Sequence, residues 1–248
     1  MDDRFAPGAG YYGGRTAYSK PFFEKLAHAL ALDTNSSVLD LACGSGEVAF
    51  GLASYAGKIV GTDKSNAMIG NAADSTPANV SFQQHDLNEA PFSADRKFDC
   101  VTVGRAIPYF EISKLKETLS LSLKPLGAVI ICGAGMGPDT AWLEAYQSIR
   151  RQFTQKKVRL DFRGVRAMNS IGFSHVRTIS DAVLVQFEFE DIVKHALSFP
   201  TQTKKILQNI DQFRAALNRA LEPFKQADGR YPGSEHSWGL IFRSRATL

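Results

Sequence analysis

The stretch Val38-Leu39-Asp40-Leu41-Ala42-Cys43-Gly44-Ser45-Gly46-Glu47 runs from an apolar segment into a turn of small residues and then into a helical segment. Glycines at 44 and 46 let the backbone turn tightly and approach a ligand closely. The helix that follows offers free backbone N–H groups and the positive end of its dipole. A strand, a glycine turn and a helix in this order read as the opening unit of a parallel α/β sheet. Gly44 and Gly46 with Ala49 also satisfy the loose dinucleotide-binding pattern, so the glycines alone do not choose a ligand.

Outward from this stretch, β-branched runs alternate with helical ones. Strands are predicted at 38–41, 58–62, 79–84, 98–103 and 128–132. Helices are predicted at 21–31, 47–55, 65–73 and 112–123. The last carries Ile112, Leu115, Leu119 and Leu123 on one stripe and is stopped by Pro125. Further on, the pattern predicts helices at 139–157, 164–171, 189–199 and 202–221, with Pro200 between the last two. A sixth strand is predicted at 173–179 and a seventh at 238–242. No Pro/Gly/Ser linker divides the chain, so residues 1–248 read as one domain. It has an N-terminal helical segment (1–35), a ligand-binding core (36–135) and two cap insertions (136–160 and 181–234).

Three acidic residues stand at or just past the ends of the first three strands at equal intervals: Asp40, Asp63 and Asp86. One strand–helix unit separates each from the next, so a parallel sheet brings all three to its carboxyl-end edge, where open α/β sheets bind ligands. Asp63 suits a ribose diol and Asp86 an adenine amine. Asp40 suits a cationic amino group, met directly or through water. An adenosine with an amino-acid tail fits these carboxylates better than a pyrophosphate, which Asp40 would repel.

These segments resemble the class I S-adenosylmethionine-dependent methyltransferases. VLDLACGSGE is similar to that family's first motif, with Ala42 where a glycine is common. IVGTDKS, followed by Asn66-Ala67-Met68, is similar to its second. His85-Asp86-Leu87 matches the adenine-binding position, and SLKPLGAVII resembles the turn entering strand five. The resemblance spans about residues 36–132. It implies a Rossmann-like seven-stranded sheet in the order 3-2-1-4-5-7-6, strand seven antiparallel, with helices on both faces and helical caps. It implies S-adenosylmethionine as donor, S-adenosylhomocysteine as product and no metal. The cofactor-binding residues it implies are Asp40, Ala42, Cys43, Gly44, Gly46, Asp63, Lys64, Met68, Asp86, Leu87, Gly104 and Arg105. Tyr11, Arg15 and Tyr18 further resemble an N-terminal segment of the trans-aconitate methyltransferase group. In that reading Arg15 pairs with the cofactor's carboxylate, Tyr11 covers it, Tyr18 meets the substrate and the first 35 residues close over the cofactor. Gly104-Arg105-Ala106-Ile107-Pro108-Tyr109-Phe110 occupies the place of a "QAxHWF" segment in the same group, with Pro108-Tyr109 replacing His-Trp.

Methyl transfer from a sulfonium is an in-line displacement that needs alignment and sometimes a base, but no protein nucleophile. The candidate bases are Tyr109, His195 and His236. His85 is expected to orient Asp86, and His28 and His175 to be structural. Arg105 binds a ligand or forms a structural ion pair. Trp142, Tyr146 and Phe199, with Tyr18 and Tyr109, are candidate substrate walls; aromatic residues of the caps serve equally well as packing.

Charge and composition narrow the partners. The 248 residues carry a net +4, and residues 150–166 alone hold seven basic residues against Asp161. That run is a solvated helix face or the place of an anionic substrate. Nucleic-acid methylation is disfavoured because no Asn/Asp-Pro-Pro-Tyr/Phe segment and no Pro-Cys nucleophile is present. Charged residues at 22% and hydrophobic residues at 44% exclude a disordered chain. No apolar run reaches the roughly 20 residues that span a bilayer, and the start MDDRFAPGAG is not a signal peptide. The three cysteines, Cys43, Cys100 and Cys132, read as free thiols in a reducing cytoplasm, without metal-site spacing. The composite expectation is a cytoplasmic methyltransferase, monomeric or homodimeric, acting on a small molecule at oxygen (carboxylate or hydroxyl) or else nitrogen. The alternatives are an RNA or protein methyltransferase, an NAD-dependent oxidoreductase and a cofactor-binding protein without activity.

Overall fold

The first helix, α1 (Lys20–Leu30), starts where Ser19 accepts the Phe22 amide on its hydroxyl and Pro21 supplies a fixed φ in the first turn. It ends at Ala31, left-handed at φ 52°, and it buries Phe22, Phe23, Leu26 and Ala27. The structure is a computed structural model and describes residues 11–70, 76–154 and 163–245. The elements that follow are β1 (Ser37–Leu41), α2 (Glu47–Leu52), β2 (Lys58–Asp63), α3 (Asn66–Gly70), β3 (Val80–Gln84), β4 (Phe98–Gly104), α4 (Ile112–Ser122), β5 (Leu123–Met136), α5 (Leu143–Thr154) and α6 (Arg163–Ser170). The chain continues through β6 (Phe173–Phe187), α7 (Phe189–Leu197), α8 (Pro200–Leu207), α9 (Ile210–Leu221) and β7 (Tyr231–Ser244).

The strands form one mixed seven-stranded sheet in the order β3-β2-β1-β4-β5-β7-β6. β1 lies between β2 and β4, parallel to both. Val38, Leu39 and Leu41 are almost wholly buried, as expected of a strand covered on both faces.

The described residues divide into two units. One comprises 18–70, 76–133, 163–181 and 237–245, and the other 11–17, 134–154 and 182–236. The first unit packs around Leu39, Val101, Val103, Leu115, Val129 and Phe242. The second, mostly helical, has its own core of Trp142, Tyr146, Ile192, Phe213, Leu217 and Tyr231. No described helix is long and apolar enough to cross a membrane.

Several element boundaries differ from expectation. Helix α4 ends at Ser122 and β5 begins at once, so Pro125 sits inside a strand instead of stopping the helix. A register shift between Phe98 and Cys100 accompanies it, which relaxes the ladder where a proline cannot donate. β6 runs on to Phe187, and β7 begins at Tyr231, placing His236 within that strand and not before it. The expected helix 202–221 is two helices separated at Gln208-Asn209, and Pro200 opens α8 at a position whose N–H has no helical partner to lose. α2 ends at Leu52. The last residues expected in the helices at 65–73 and 139–157 lie outside the described residues.

Candidate functional site

In the larger unit the glycine turn leaves β1 beside two carboxylates. Asp40 pairs in register with Gly61 of β2 and Thr102 of β4, and is 1% exposed. Its Oδ1 accepts the Thr102 hydroxyl at 2.7 Å. Its Oδ2 is buried without a hydrogen-bond partner among the described residues. Burial disfavours the charged form and pushes the pKa up to about 7, although the Thr102 hydrogen bond opposes this. Ala42, Gly44 and Gly46 then adopt positive φ values of 53°, 57° and 82°. Gly46 is required twice, because a Cβ there would also stand 2.6 Å from the Phe82 ring. Cys43 is partly buried beside this turn, and burial pushes its thiol up, as it does for Cys100. All three cysteines are free, and Cys132 is pushed up to about 12, again by burial.

Asp63, the last residue of β2, holds the turn in place. Its Oδ2 accepts the Gly44 amide at 2.8 Å and its Oδ1 the Ser65 amide at 2.9 Å. A carboxylate has about four lone-pair sites, so each oxygen can still accept a further bond. Lys64 is exposed, and its carbonyl accepts the Gln84 side chain. Met68 is half-buried in α3. The His85 amide bonds the Asp63 carbonyl at 2.9 Å, tying the end of β3 to the end of β2. Asp86 follows, accepting the Asn88 amide at 2.9 Å, and Leu87 turns into the core. His85 does not orient Asp86 as expected: its Nε2 meets the Ala90 carbonyl at 2.8 Å and its ring stands edge-on to Phe92. The three acidic residues thus sit at the carboxyl ends of three adjacent parallel strands.

Past β4, Gly104 leads into Arg105, held left-handed at φ 57°. Arg105 pairs with Glu47 at 3.1 Å and stacks 4.6 Å from the centre of the Tyr18 ring. Glu47 also accepts the Tyr18 amide at 2.9 Å. Tyr18 is buried, and burial raises its hydroxyl pKa well above the usual range. Tyr109 closes a short 3₁₀ turn and is 45% exposed, with its carbonyl fixed by Asn88. Thr102, Glu47 and Asn88 were not among the expected site residues. Only Glu47 carries a sequence signal, as the first residue after the glycine turn.

The other unit contains a cavity of about 420 Å³. Arg15, Tyr146, Arg150, Arg151, His195 and Phe199 are on its wall. The Tyr146 hydroxyl and His195 Nδ1 are 2.6 Å apart, and burial pushes the Tyr146 pKa up to about 12. Arg15 and Arg150 lie 4.1 and 3.9 Å from the centre of the Phe199 ring. Arg15 donates to the Ser198 carbonyl at 3.2 Å, and Arg150 to the Gln202 side chain at 2.8 Å. Trp142 is corrected from wall to core: it is fully buried, bonds the Pro232 carbonyl and stands edge-on to Tyr146, Phe187 and Tyr231. Tyr11 packs against the same core. His236 lies in β7, partly exposed. Of the basic run, Lys156, Lys157 and Arg159 are outside the described residues. Among the described residues no group of three or more His, Cys, Asp or Glu is placed to hold a metal ion.

Residues 38–127 match a family model described as a methyltransferase domain. The matched segment contains the glycine turn and the carboxyl ends of β1, β2, β3 and β4. Two curated 2-phytyl-1,4-naphtoquinone methyltransferases are similar to it, from Synechococcus elongatus and Synechococcus sp. Each is 35% identical over 99 residues, which is 36% of this chain and 41% of the relative. The chain therefore spans about two fifths of the length of the curated relatives it matches.

Solved structures share the fold over nearly the whole chain. A SAM-dependent methyltransferase from Geobacter sulfurreducens, in complex with S-adenosyl-L-homocysteine, is 18% identical with a TM-score of 0.51, covering 99% of both chains. The YcgJ protein of Bacillus subtilis is 18% identical with a TM-score of 0.55, covering 90% of this chain and 97% of its own. The [4+2]-cyclase SpnF is also 18% identical with a TM-score of 0.55, covering 93% and 84%. A cyclase among these neighbours means that the fold does not by itself fix the reaction.

Proposed function

We propose that the protein is an S-adenosylmethionine-dependent methyltransferase that acts on a small molecule, at an oxygen of a carboxylate or hydroxyl or else at a nitrogen. The observation that carries this reading is the buried Asp40 carboxylate, with Oδ2 unpartnered among the described residues, beside a left-handed glycine turn. A dinucleotide's pyrophosphate would be repelled there, whereas a cationic amino group compensates the buried charge. Asp63 retains acceptor capacity for a ribose diol, and Asp86 for an adenine amine. Gly44 and Gly46 allow close backbone approach, while Ala42, Cys43, Lys64, Met68, Leu87 and Gly104 complete the neighbourhood. These residues fit S-adenosylmethionine.

When bound, this cofactor supplies a methyl group already activated by a positive sulfur. The protein's own part is to orient, to exclude water and, for a hydroxyl acceptor, to accept a proton. His195, Tyr109 and His236 are the candidate bases. His195 is the best prepared, since its Nδ1 is fixed by Tyr146 at 2.6 Å. Tyr146, Phe199 and Tyr109 are candidate substrate contacts, while Tyr18 and Arg105 brace the turn through Glu47. The free thiols suit a reducing, cytoplasmic setting.

The test is transfer of labelled methyl from S-adenosylmethionine into a small-molecule library, in parallel with tRNA and protein substrates. Labelling of a small molecule is expected. Labelling confined to RNA or protein would overturn the small-molecule reading.

A further inference from the structure

The cavity of the helical unit has an unusual wall. Arg15, Arg150 and Arg151 line it, and none of the described residues that line it is acidic. Arg150 is 7% exposed, yet its Nε has no hydrogen-bond partner among the described residues. A guanidinium does not lose its proton in a protein, so a buried, unpartnered N–H calls for an acceptor from outside. Arg15 and Arg150 both stand about 4 Å from the centre of one ring, that of Phe199. The ring keeps water from the guanidinium faces, which strengthens a charge-assisted bond made at their edges. The volume of about 420 Å³ lies within the roughly 300–1,000 Å³ range of small-molecule sites.

We propose that this cavity binds a small-molecule carboxylate, with Arg150 as its principal anchor and Arg15 and Arg151 as supporting charges. A planar carboxylate matches the guanidinium fork in two parallel bonds. The Gln202 carbonyl oxygen, 2.8 Å from Arg150 Nη2, fixes the fork's orientation before the ligand arrives.

The 248-residue protein is titrated with acetate, succinate, citrate, benzoate and inorganic phosphate, with and without saturating S-adenosylhomocysteine. Thermal unfolding and calorimetry are the readouts. At least one carboxylate is expected to stabilise the wild type saturably, and Arg150→Gln is expected to weaken it at least about tenfold. Arg151→Gln changes an exposed position and is expected to weaken it several-fold while keeping the wild-type melting temperature. Both variants are expected to bind S-adenosylhomocysteine as the wild type does. The proposal is overturned if no carboxylate binds, if the variants bind it equally, or if phosphate binds more tightly. It is also overturned if the substitutions weaken S-adenosylhomocysteine instead, which would make the arginines cofactor ligands. Carboxylate binding without any S-adenosylhomocysteine binding would sustain the site and sink the methyltransferase reading.

Discussion

At the scale of single residues, the first motif combines two costs that a ligand or a substitution can relieve. Ala42 holds φ 53°, a conformation that costs an L-residue about 1–2 kcal/mol. This is the physical reason why a glycine is common there, and alanine is not a free replacement. Ala42→Gly is expected to stabilise the fold by about 0.5–1 kcal/mol, after allowing for the greater freedom of glycine in the unfolded chain. Urea unfolding reads this directly, and a destabilised variant would mean that the turn is misplaced. Asp40 presents the second cost. Its folded pKa of about 7 lies above the ordinary value of 3.8, so the folded state retains the proton longer. Stability from this group is complete below about pH 4 and is lost as the pH rises to 7. Asp40→Asn has no such titration, so its stability relative to wild type is expected to rise by roughly 2–4 kcal/mol between pH 4 and pH 8. Parallel pH curves for the two proteins would contradict a buried carboxylate at this position. The acidic residues were legible because their spacing matched one strand–helix unit. Thr102 was not, because it acts on a partner far away in sequence, and Glu47 was marked only by its place after the glycine turn. Trp142 was misjudged because a core aromatic and a wall aromatic have the same helical spacing.

At the scale of elements, the strands at the sheet's centre were readable to within about a residue. β1, β2 and β4 are covered on both faces and are nearly continuous in apolar residues. β5, β6 and β7 run further than any apolar pattern indicates. Their extra residues, such as Ser180-Asp181 or Ser234-Glu235-His236, have no alternation to mark them. β6 is also an edge strand, with Val176 and Leu184 exposed. Helix α1 shows how one residue sets an element. Ser19 accepts the Phe22 amide while its hydroxyl donates to Asp181, which also pairs with Lys25. Ser19→Ala is expected to cost about 1 kcal/mol in urea unfolding. An unchanged midpoint would mean that solvent replaces both bonds.

At the scale of the whole molecule, the strand order was available through resemblance to a family and not through periodicity, which carries no information about neighbours. The division of the chain was harder to read. β5, β6 and β7 each pass from one unit to the other without a linker, so composition does not mark the boundary. The net charge is likewise uneven: the arginines at 150 and 151 belong to the helical unit, and the acidic triad to the other. The central claim is that the ends of β1, β2 and β3 bind an adenosine bearing an amino-acid tail. Calorimetric titration of the wild type and Asp63→Ala with S-adenosylhomocysteine and with NAD tests it most directly. The account predicts that S-adenosylhomocysteine binds, that NAD does not, and that Asp63→Ala weakens binding by roughly 1.5–3 kcal/mol. Binding of NAD alone, or an Asp63→Ala protein with undiminished affinity for S-adenosylhomocysteine, would contradict it.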